Sequence, residues 1–381
     1  MEYPGDMLNV KAAPSLAALP GRLASLDQFR GYTVLAMFVV NFLGSFAVVP
    51  AILKHHNTYC SYADTVMPQF FFAAGFAYRL TYVRRSASMA RRPLYLRYLR
   101  RAVGLIVLGA LMYLGPDVAA ALFRPPPDVG TWALRLLGRN LFQTLVHLGV
   151  TSLWIMPVIG AAPRARVAFA AASAALHVAL SYRFYYDWEM AFPGIDGGPL
   201  GFLTWTVPML AGAAAYDIVA GSPHAAVRRI AVRGAAMMLL GYALACVNLA
   251  APNNAGPTGT AAAVFVEPPF VPPSRPVNYW TMSQRAGSVS YLVFGAGLSL
   301  ALYALFYWMC DLRGLRWGAL ATLGSNALAG YVVHLALDEL IKRFVSPEAS
   351  AASVAGLLAV FLGCCYAAVR ALEKRAIFLR L

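Results

Sequence analysis

Residues 31–53 read GYTVLAMFVVNFLGSFAVVPAIL, a run that contains no charged side chain. About 20 consecutive apolar residues are needed to cross a hydrocarbon core roughly 30 Å thick, so this run is long enough to span a membrane. Comparable runs recur along the chain, and we predict an all-α polytopic membrane protein, a bundle of about ten transmembrane helices. The predicted spans lie near 31–53, 65–83, 102–122, 141–160, 167–182, 199–219, 230–250, 288–310, 317–337 and 352–372.

The composition supports an integral, multi-pass membrane protein, in the inner membrane if the source is bacterial. Of the 381 residues 60% are hydrophobic and 12% are charged, about half the charged share of a soluble domain. The net charge of +15 does not indicate nucleic acid, because basic residues in a membrane protein first report orientation. The five cysteines have neither metal nor disulfide spacing, so we predict no metal site.

The distribution of Lys and Arg predicts the orientation. With the N-terminus inside, 22 of the 31 basic residues fall on the inner side and nine on the outer side, which favours both termini in the cytoplasm. We therefore expect a cytoplasmic segment over 1–30, a transmembrane bundle over 31–372 and a cytoplasmic tail over 373–381. A proline-rich extracytoplasmic loop over 251–287 is expected to form either a lid or a disordered cover.

The first outer loop holds the most reactive short stretch, PAILKHHNTYCSYAD at 50–64. His55 and His56 are candidate proton carriers, with metal ligation or a solvated loop position as the alternatives. Six histidines scattered over the spans argue against a metal. Asp64 either caps the second helix or orients a histidine by accepting its other N–H.

Asn41 lies near mid-membrane in the first span. It is either an interhelical hydrogen-bonding group or a functional polar residue. In a straight helix the 14 residues from Asn41 to His55 would cover about 21 Å. The two side chains can meet only if the helix ends early, and Gly44 and Pro50 are the expected places.

Other polar residues have two open interpretations each. Asp27 and Arg30 in SLDQFRG either cap and anchor the first helix or bind a phosphate-bearing ligand from the cytoplasm. The arginines between 84 and 101, among them Arg84 and Arg85, could do the same. His147, His177 and His334 lie in or near spans, where a hydrogen bond to a backbone carbonyl is at least as good an explanation as catalysis.

Three motifs in order carry a family resemblance: RLASLDQFRGYTVLAMFVVN (22–41), LKHH (53–56) and YADTVMPQFFFAAG (62–75). Together they resemble the heparan-α-glucosaminide N-acetyltransferase family of transmembrane acyltransferases. Weaker similarity continues in QTLVHLGVT (143–151), GPLGFLTW (198–205), YLVFGAGLSLALYALFYWMCD (291–311) and GSNALAGYVVH (324–334).

The resemblance implies transfer of an acetyl group from cytosolic acetyl-CoA to an amino sugar across the membrane. The catalytic histidine would fall on His55 and the catalytic asparagine on Asn41. Asp64 matches the aspartate that opens the second span. Asp27 and Arg30 match the family's D-x-x-R, and Asn326 matches the asparagine of G-x-N-A.

The chain departs from the family pattern in two places. The segment from Lys54 to Asp64 is one residue short, which leaves His55 against His56 open, with His55 favoured. Val146-His147 stands where the family often has Gln-Arg.

The function expected from the sequence is therefore an acyltransferase. Acetyl-CoA would dock at the arginine-rich cytoplasmic face, near Arg30, Asp27, Arg84, Arg85 and Asn326. A sugar or glycan acceptor would approach from outside, with His55 as general base and Asn41 stabilising the oxyanion. The sequence leaves three questions open: whether the acceptor atom is nitrogen or oxygen, whether the donor carries an acetyl or a longer acyl group, and whether an acyl-histidine intermediate forms.

The rival interpretation is a transporter or flippase for a glycan-related or small metabolite, and a structural membrane subunit is the weaker third option. A homodimer is expected only by analogy with the family.

Overall fold

The computed structural model describes residues 23–56, 58–191, 194–250 and 265–379. Predictions that concern 1–22, with Lys11 and Arg22, the loop portion 251–264, and Arg380 with Leu381 lie outside these residues.

The described chain is helical and contains no strand within those ranges. Its α-helices are α1 (Ala24–Leu43), α2 (Val66–Ser86), α3 (Arg91–Phe123), α4 (Val129–Arg135), α5 (Thr144–Ile155), α6 (Pro163–Leu180), α7 (Tyr186–Ala191), α8 (Phe202–Gly221), α9 (Ala226–Cys246), α10 (Val289–Phe306), α11 (Gly318–Ser325), α12 (Ala327–Lys342) and α13 (Ala351–Lys374).

Six segments of the described chain are long and apolar enough to cross a membrane. They are Arg91–Phe123, Pro163–Ala191, Gly198–Gly221, Pro223–Ala250, Val289–Leu312 and Ala351–Lys374. A seventh is added if α11 and α12, which meet at a 91° bend, count as one span. This is the pattern of a multi-pass membrane protein, by the length and composition of its helices.

The apolar helices fall into an inner and an outer set. The apolar windows of the α8 and α10 segments are 78% buried within the protein, whereas that of the α3 segment is 11% buried. The exposed part of α3 includes Leu111 and Leu122, which are 67% and 78% exposed. Inner helices thus form the core, and the outer ones present the apolar surface that a bilayer would cover.

Helix α1 lies against α11 at unusually short range. A Cβ added at Gly31 would collide with the backbone carbonyl of Leu320, and one added at Gly324 would collide with that of Asp27. Only glycine lets the two backbones approach this closely. The contact fixes α1, which carries Asn41, relative to the bend that precedes α12.

The first apolar run does not form one helix as predicted. α1 begins at Ala24 and ends at Leu43, so the predicted boundary at residue 30 falls inside it. Residues 44–50 are apolar but not helical, and they lead into a short 3₁₀ turn at 51–53. Of these residues Phe46 and Val49 are buried against the end of the bundle. The predicted span is therefore divided between a helix and a loop.

The predicted span 317–337 is also divided. α11 ends at Ser325 and α12 begins at Ala327, with Asn326 at the bend. The described part of the predicted loop 251–287 packs on the bundle, where the amide of Phe270 donates to the carbonyl of Cys60 at 2.9 Å. From residue 265 onward this loop is a packed cover.

Candidate active site

The end of α1 brings Asn41 and His55 together. The amide of Gly44 makes the last helical bond, to the carbonyl of Val40 at 2.9 Å, and the chain then turns. A short 3₁₀ turn, Ala51–Leu53, follows Pro50 and returns the chain to the helix end. Nε2 of His55 consequently lies 3.3 Å from Oδ1 of Asn41, so the expected early end of the helix is confirmed.

Asp64 anchors the other side of the His55 ring. Its Oδ1 accepts from Nδ1 of His55 at 2.8 Å, and its Oδ2 accepts from both the amide and the hydroxyl of Ser61 at 2.9 Å. The Asp64 side chain is fully buried. With both oxygens accepting, Asp64 orients the histidine and does not cap α2, which begins at Val66.

Two opposing effects act on His55. Desolvation lowers its pKa, but the hydrogen bond and the charge of Asp64 outweigh desolvation, and the pKa is raised above its ordinary value. The side chain keeps 35% of its surface exposed, so the ring can exchange protons with water. His55 thus combines a raised pKa with access to water, as a proton carrier requires.

His56 points elsewhere. Its Nε2 donates to the carbonyl of Ala51 at 2.7 Å, and its ring stacks on Tyr59 with centroids 4.5 Å apart. Of the two neighbouring histidines, the structure brings only His55 to Asn41 and Asp64.

A third histidine completes the cluster from α12. Nδ2 of Asn41 lies 3.1 Å from Nε2 of His334, and Nδ1 of His334 lies 2.6 Å from the carbonyl oxygen of Tyr331. Lys342, one helical turn beyond Asp338, donates to both the Asn41 carbonyl at 2.8 Å and the Asp338 carboxylate at 2.7 Å. Asn41 is therefore held at its backbone as well as its side chain.

Sequence reasoning missed a second carboxylate near His55. Buried Asp196 accepts from Nε2 of Gln284 at 2.5 Å, and both side chains interact with His55. Desolvation raises the pKa of Asp196 to about 6, although the Gln284 bond and the charge of His55 act to lower it.

The backbone at Asp196 is unusual. Asp196 has φ +63° and is followed by Gly197 at +82° and Gly198 at +54°. Glycine adopts this left-handed conformation freely, but for Asp196 it is sparsely populated and tends to occur at functional sites. The Asp-Gly-Gly triplet at 196–198 was the available sequence signal.

A cavity of about 860 Å³ lies at the opposite end of these helices from His55. This volume is within the range of about 300–1,000 Å³ that is typical of cofactor and small-molecule sites. Its lining includes five arginines, from the start of α1, the end of α2 and the first half of α3: Arg30, Arg85, Arg97, Arg100 and Arg101. A cavity with this lining suits an anionic ligand with an apolar portion.

The predicted donor-binding residues divide around this cavity. Asp27, Arg30 and Arg85 line it, and Arg84 is not part of its lining. Asn326 instead binds the C-terminal segment: its Nδ2 donates to the carbonyl of Ile377 at 2.9 Å and its Oδ1 accepts from the amide of Leu379 at 3.1 Å. Leu379 in turn lines the cavity, so Asn326 does not line the cavity itself but holds a segment that does.

Two short routes connect the cavity with the His55 cluster. Tyr331 lines the cavity, and its carbonyl is bonded to His334. On the second route Thr144 lines the cavity and contacts the Met67 sulfur at 3.8 Å, which Gln284 also contacts at 3.8 Å. The inner wall of the cavity is thus one or two side chains away from the groups that contact His55.

The chain was compared with protein-family models and with curated proteins, and neither comparison finds a match. The motif resemblance at 22–75 therefore stays a prediction, and we infer function from the residues of the site.

Proposed function

We propose that this protein is a membrane acyltransferase that moves an acetyl or similar acyl group from cytoplasmic acyl-CoA to an amine or hydroxyl group on the outer side. The observation that carries the proposal is the His55 constellation, with Asp64 on one ring nitrogen and Asn41 on the other. A histidine oriented by a buried carboxylate, with an amide beside it, is an arrangement suited to general-base catalysis of acyl transfer.

The arginine-lined cavity is the proposed donor site. Arg30 and Arg85 would bind CoA phosphates, since guanidinium groups form charge-assisted bonds with phosphate oxygens. The apolar lining between α1, α2 and α5, which includes Phe70, Ala73 and Leu148, would hold the pantetheine arm. The thioester would then approach Asn41 past Tyr331 or Thr144.

The proposed chemistry is a direct transfer. Neutral His55 takes a proton on Nε2 from the acceptor N–H or O–H, while the acceptor atom forms a bond to the thioester carbonyl carbon. The tetrahedral intermediate collapses as the C–S bond breaks, and the thiolate leaves into the donor cavity. His334 accepts one N–H of the Asn41 amide, and the second N–H would donate to the oxyanion.

The proposed topology has ten spans, with both termini and the arginine cluster in the cytoplasm. Each predicted span overlaps a helix or the α11–α12 pair. The loop before His55 also meets the α12–α13 loop, where the Ala47 amide donates to the carbonyl of Pro347 at 2.9 Å. Both loops lie on the outer side in the proposed topology, and both carry fewer basic residues than the α2–α3 region.

The test is a transfer assay with purified protein in nanodiscs. Acyl-CoA donors of increasing chain length, with a labelled acyl group, are supplied with a panel of amino sugars and neutral sugars. We expect label to appear in an acceptor, and we expect loss of the His55 imidazole in His55→Ala to abolish transfer while His56→Ala retains it. Equal activity of the His55→Ala variant and the wild type would refute the assignment.

Binding of CoA separates this function from a transporter or flippase. Isothermal titration of the same nanodiscs with CoA should give a saturable signal that Arg30→Gln and Arg85→Gln weaken. If the protein transports an acceptor-like solute but neither binds CoA nor transfers label, the transporter or flippase interpretation is correct.

A further inference from the structure

The hydrogen bonds around Asn41 form one continuous chain across three elements. From α12 to the outer loop it runs from the Tyr331 carbonyl through His334, Asn41 and His55 to the Asp64 carboxylate. Both ends of the chain are pure acceptors when Asp64 is ionised. The direction of every hydrogen bond between them can therefore be worked out.

The Tyr331 end fixes the state of His334. A carbonyl oxygen only accepts, so Nδ1 of His334 carries its hydrogen. The ring is fully buried, stacks on Phe38 with centroids 5.4 Å apart, and has no carboxylate among its hydrogen-bond partners in the described part of the chain. The Lys342 ammonium group already lies on the neighbouring Asn41 carbonyl, and this positive charge disfavours a second positive charge on His334. His334 is therefore neutral, and its Nε2 is an acceptor.

The state of His334 fixes the amide of Asn41. Because Nε2 accepts, Nδ2 of Asn41 must face His334, and Oδ1 must face His55. A flipped amide would set two acceptors, Oδ1 and Nε2 of His334, against each other. Without His334 the two orientations of the amide would have no such preference.

The orientation of Asn41 fixes the state of His55. Its Nδ1 faces the Asp64 carboxylate and its Nε2 faces Oδ1 of Asn41, and both of these partners are acceptors. Both ring nitrogens must then carry hydrogens, so the closed arrangement holds His55 as an imidazolium. The raised pKa of His55 agrees with this result.

We propose that His334 is a positioning residue that locks the Asn41 amide, so that the Asn41–His55 contact closes when His55 is protonated and opens when Nε2 is deprotonated. This inference rests on the proposed function, and it assigns control of access to the Asn41–His55 gap to the protonation of His55. Once Nε2 loses its proton it faces Oδ1 of Asn41 as a second acceptor, and the contact becomes repulsive. The gap between Asn41 and His55 is where both the acceptor atom and the thioester carbonyl must fit.

The protons of this cycle balance. The exposed side of His55 releases the Nε2 proton to water, and the site opens. The acceptor then gives its own proton to the same Nε2 as its nitrogen or oxygen bonds to the acyl carbon. Protonation restores the N–H to O=C bond with Asn41, and the site closes behind the product.

The charges that face His55 come from several elements. Asp64 lies on the segment before α2, and Asp196 and Gln284 come from the two loops that precede α8 and α10. Lys342 from α12 donates to the backbone carbonyl of Asn41 and forms an ion pair with Asp338 of the same helix. Both carboxylates that act on the ring favour its protonated form, so opening requires the proton to leave against their attraction.

The decisive measurement uses the wild-type protein and needs no transfer activity. In ¹⁵N-histidine NMR spectra, assigned with His55→Gln and His334→Gln, we expect a neutral His334 protonated on Nδ1 alone. In the same sample His55 should be protonated on both nitrogens below its titration midpoint. A neutral His334 that carries its hydrogen on Nε2 would overturn the proposal, whether or not the protein transfers acyl groups.

A matched pair of variants tests the lock itself. In His334→Gln the side-chain oxygen can still accept from Nδ2 of Asn41, so the His55 midpoint and the pH–rate profile should stay as in the wild type. In His334→Phe the ring can still stack on Phe38, but the amide is free to flip and to donate to neutral His55. We expect the His55 midpoint to fall by about one unit and kcat to fall about 100-fold as the oxyanion donor is misplaced.

Each outcome of the pair bears on the proposal. Unchanged midpoints in both variants, or equal shifts in both, would refute the lock. Absence of transfer in the wild type, together with the expected NMR result, would refute the acyltransferase function and leave the lock intact.

Discussion

Nδ1 of His55 lies 2.8 Å from Oδ1 of Asp64, a carboxylate that has no exposed surface. Desolvation lowers the pKa of His55, but the hydrogen bond and the charge of Asp64 raise it further, and the proposed base is the neutral ring. Transfer activity should therefore rise with pH through a midpoint above about 6.5, the ordinary value for histidine.

Asp64→Asn removes that charge and keeps the shape. We predict that the rise in activity moves to lower pH and that the maximal rate falls at least about 100-fold, since the ring loses its orienting acceptor. The pH–rate profile of kcat measures both effects. Asp128→Asn is the matched control, because Asp128 is exposed and its hydrogen bonds within the described residues go to the start of α4. A pH profile that does not move would contradict the role given to Asp64.

The arginines of the cavity should control donor affinity and not the chemical step. A hydrogen bond between charged groups contributes about 1.5–3 kcal/mol, so we expect Arg30→Gln and Arg85→Gln each to raise the KM for acyl-CoA at least about tenfold. The acceptor KM and kcat should change little. Arg228→Gln on α9 removes an exposed arginine that does not line the cavity, and its KM should match the wild type. Equal losses in all three variants would point to a general charge effect.

The close approach of α1 and α11 predicts a strong effect of one methyl group. In Gly324→Ala the new Cβ would collide with the backbone carbonyl of Asp27, which no rotamer change can relieve. Overpacking of this kind costs about 1–3 kcal/mol, and we expect a lower midpoint of thermal unfolding in detergent. Gly356→Ala is the control, since nothing lies within 4 Å of a Cβ added there. It should leave the midpoint unchanged or raise it.

Cysteine labelling of intact cells tests the proposed sidedness. In a background with Cys364→Ser, Val48→Cys and Glu348→Cys should react with a charged, impermeant maleimide added outside. Ser88→Cys and Leu315→Cys should react only after the membrane is permeabilised. All four positions are in exposed loops. Labelling of Ser88→Cys from outside would rule out the proposed orientation.

Much of the site could be predicted because its central members are near in sequence. Asn41, His55 and Asp64 lie within 24 positions, and the glycine after α1 signalled the turn that joins them. The resulting contacts, Asn41 to His55 and His55 to Asp64, are those that the motif order led us to expect.

The rest depends on distant packing that no local pattern encodes. His334 reaches Asn41 across 293 positions, and it does so because Gly31 and Gly324 let α1 and α11 touch. The bend at Asn326 was hidden within an apolar run that had the length of one span. Asp196 lies in a short turn that is recognised as unusual by its backbone conformation and not by a hydrophobic pattern in the sequence.

The partial exposure of the His55 ring has an electrical consequence for the proposed reaction. The proton taken from the acceptor leaves on the outer side, whereas the CoA thiolate acquires its proton on the inner side. Each turnover therefore carries one positive charge outward, as an acyl cation that is exchanged for a proton. An inside-negative membrane potential opposes that movement by about 2.3 kcal/mol per 100 mV. Part of the free energy of thioester cleavage would thus act against the membrane voltage, and an energised membrane should slow the proposed transfer.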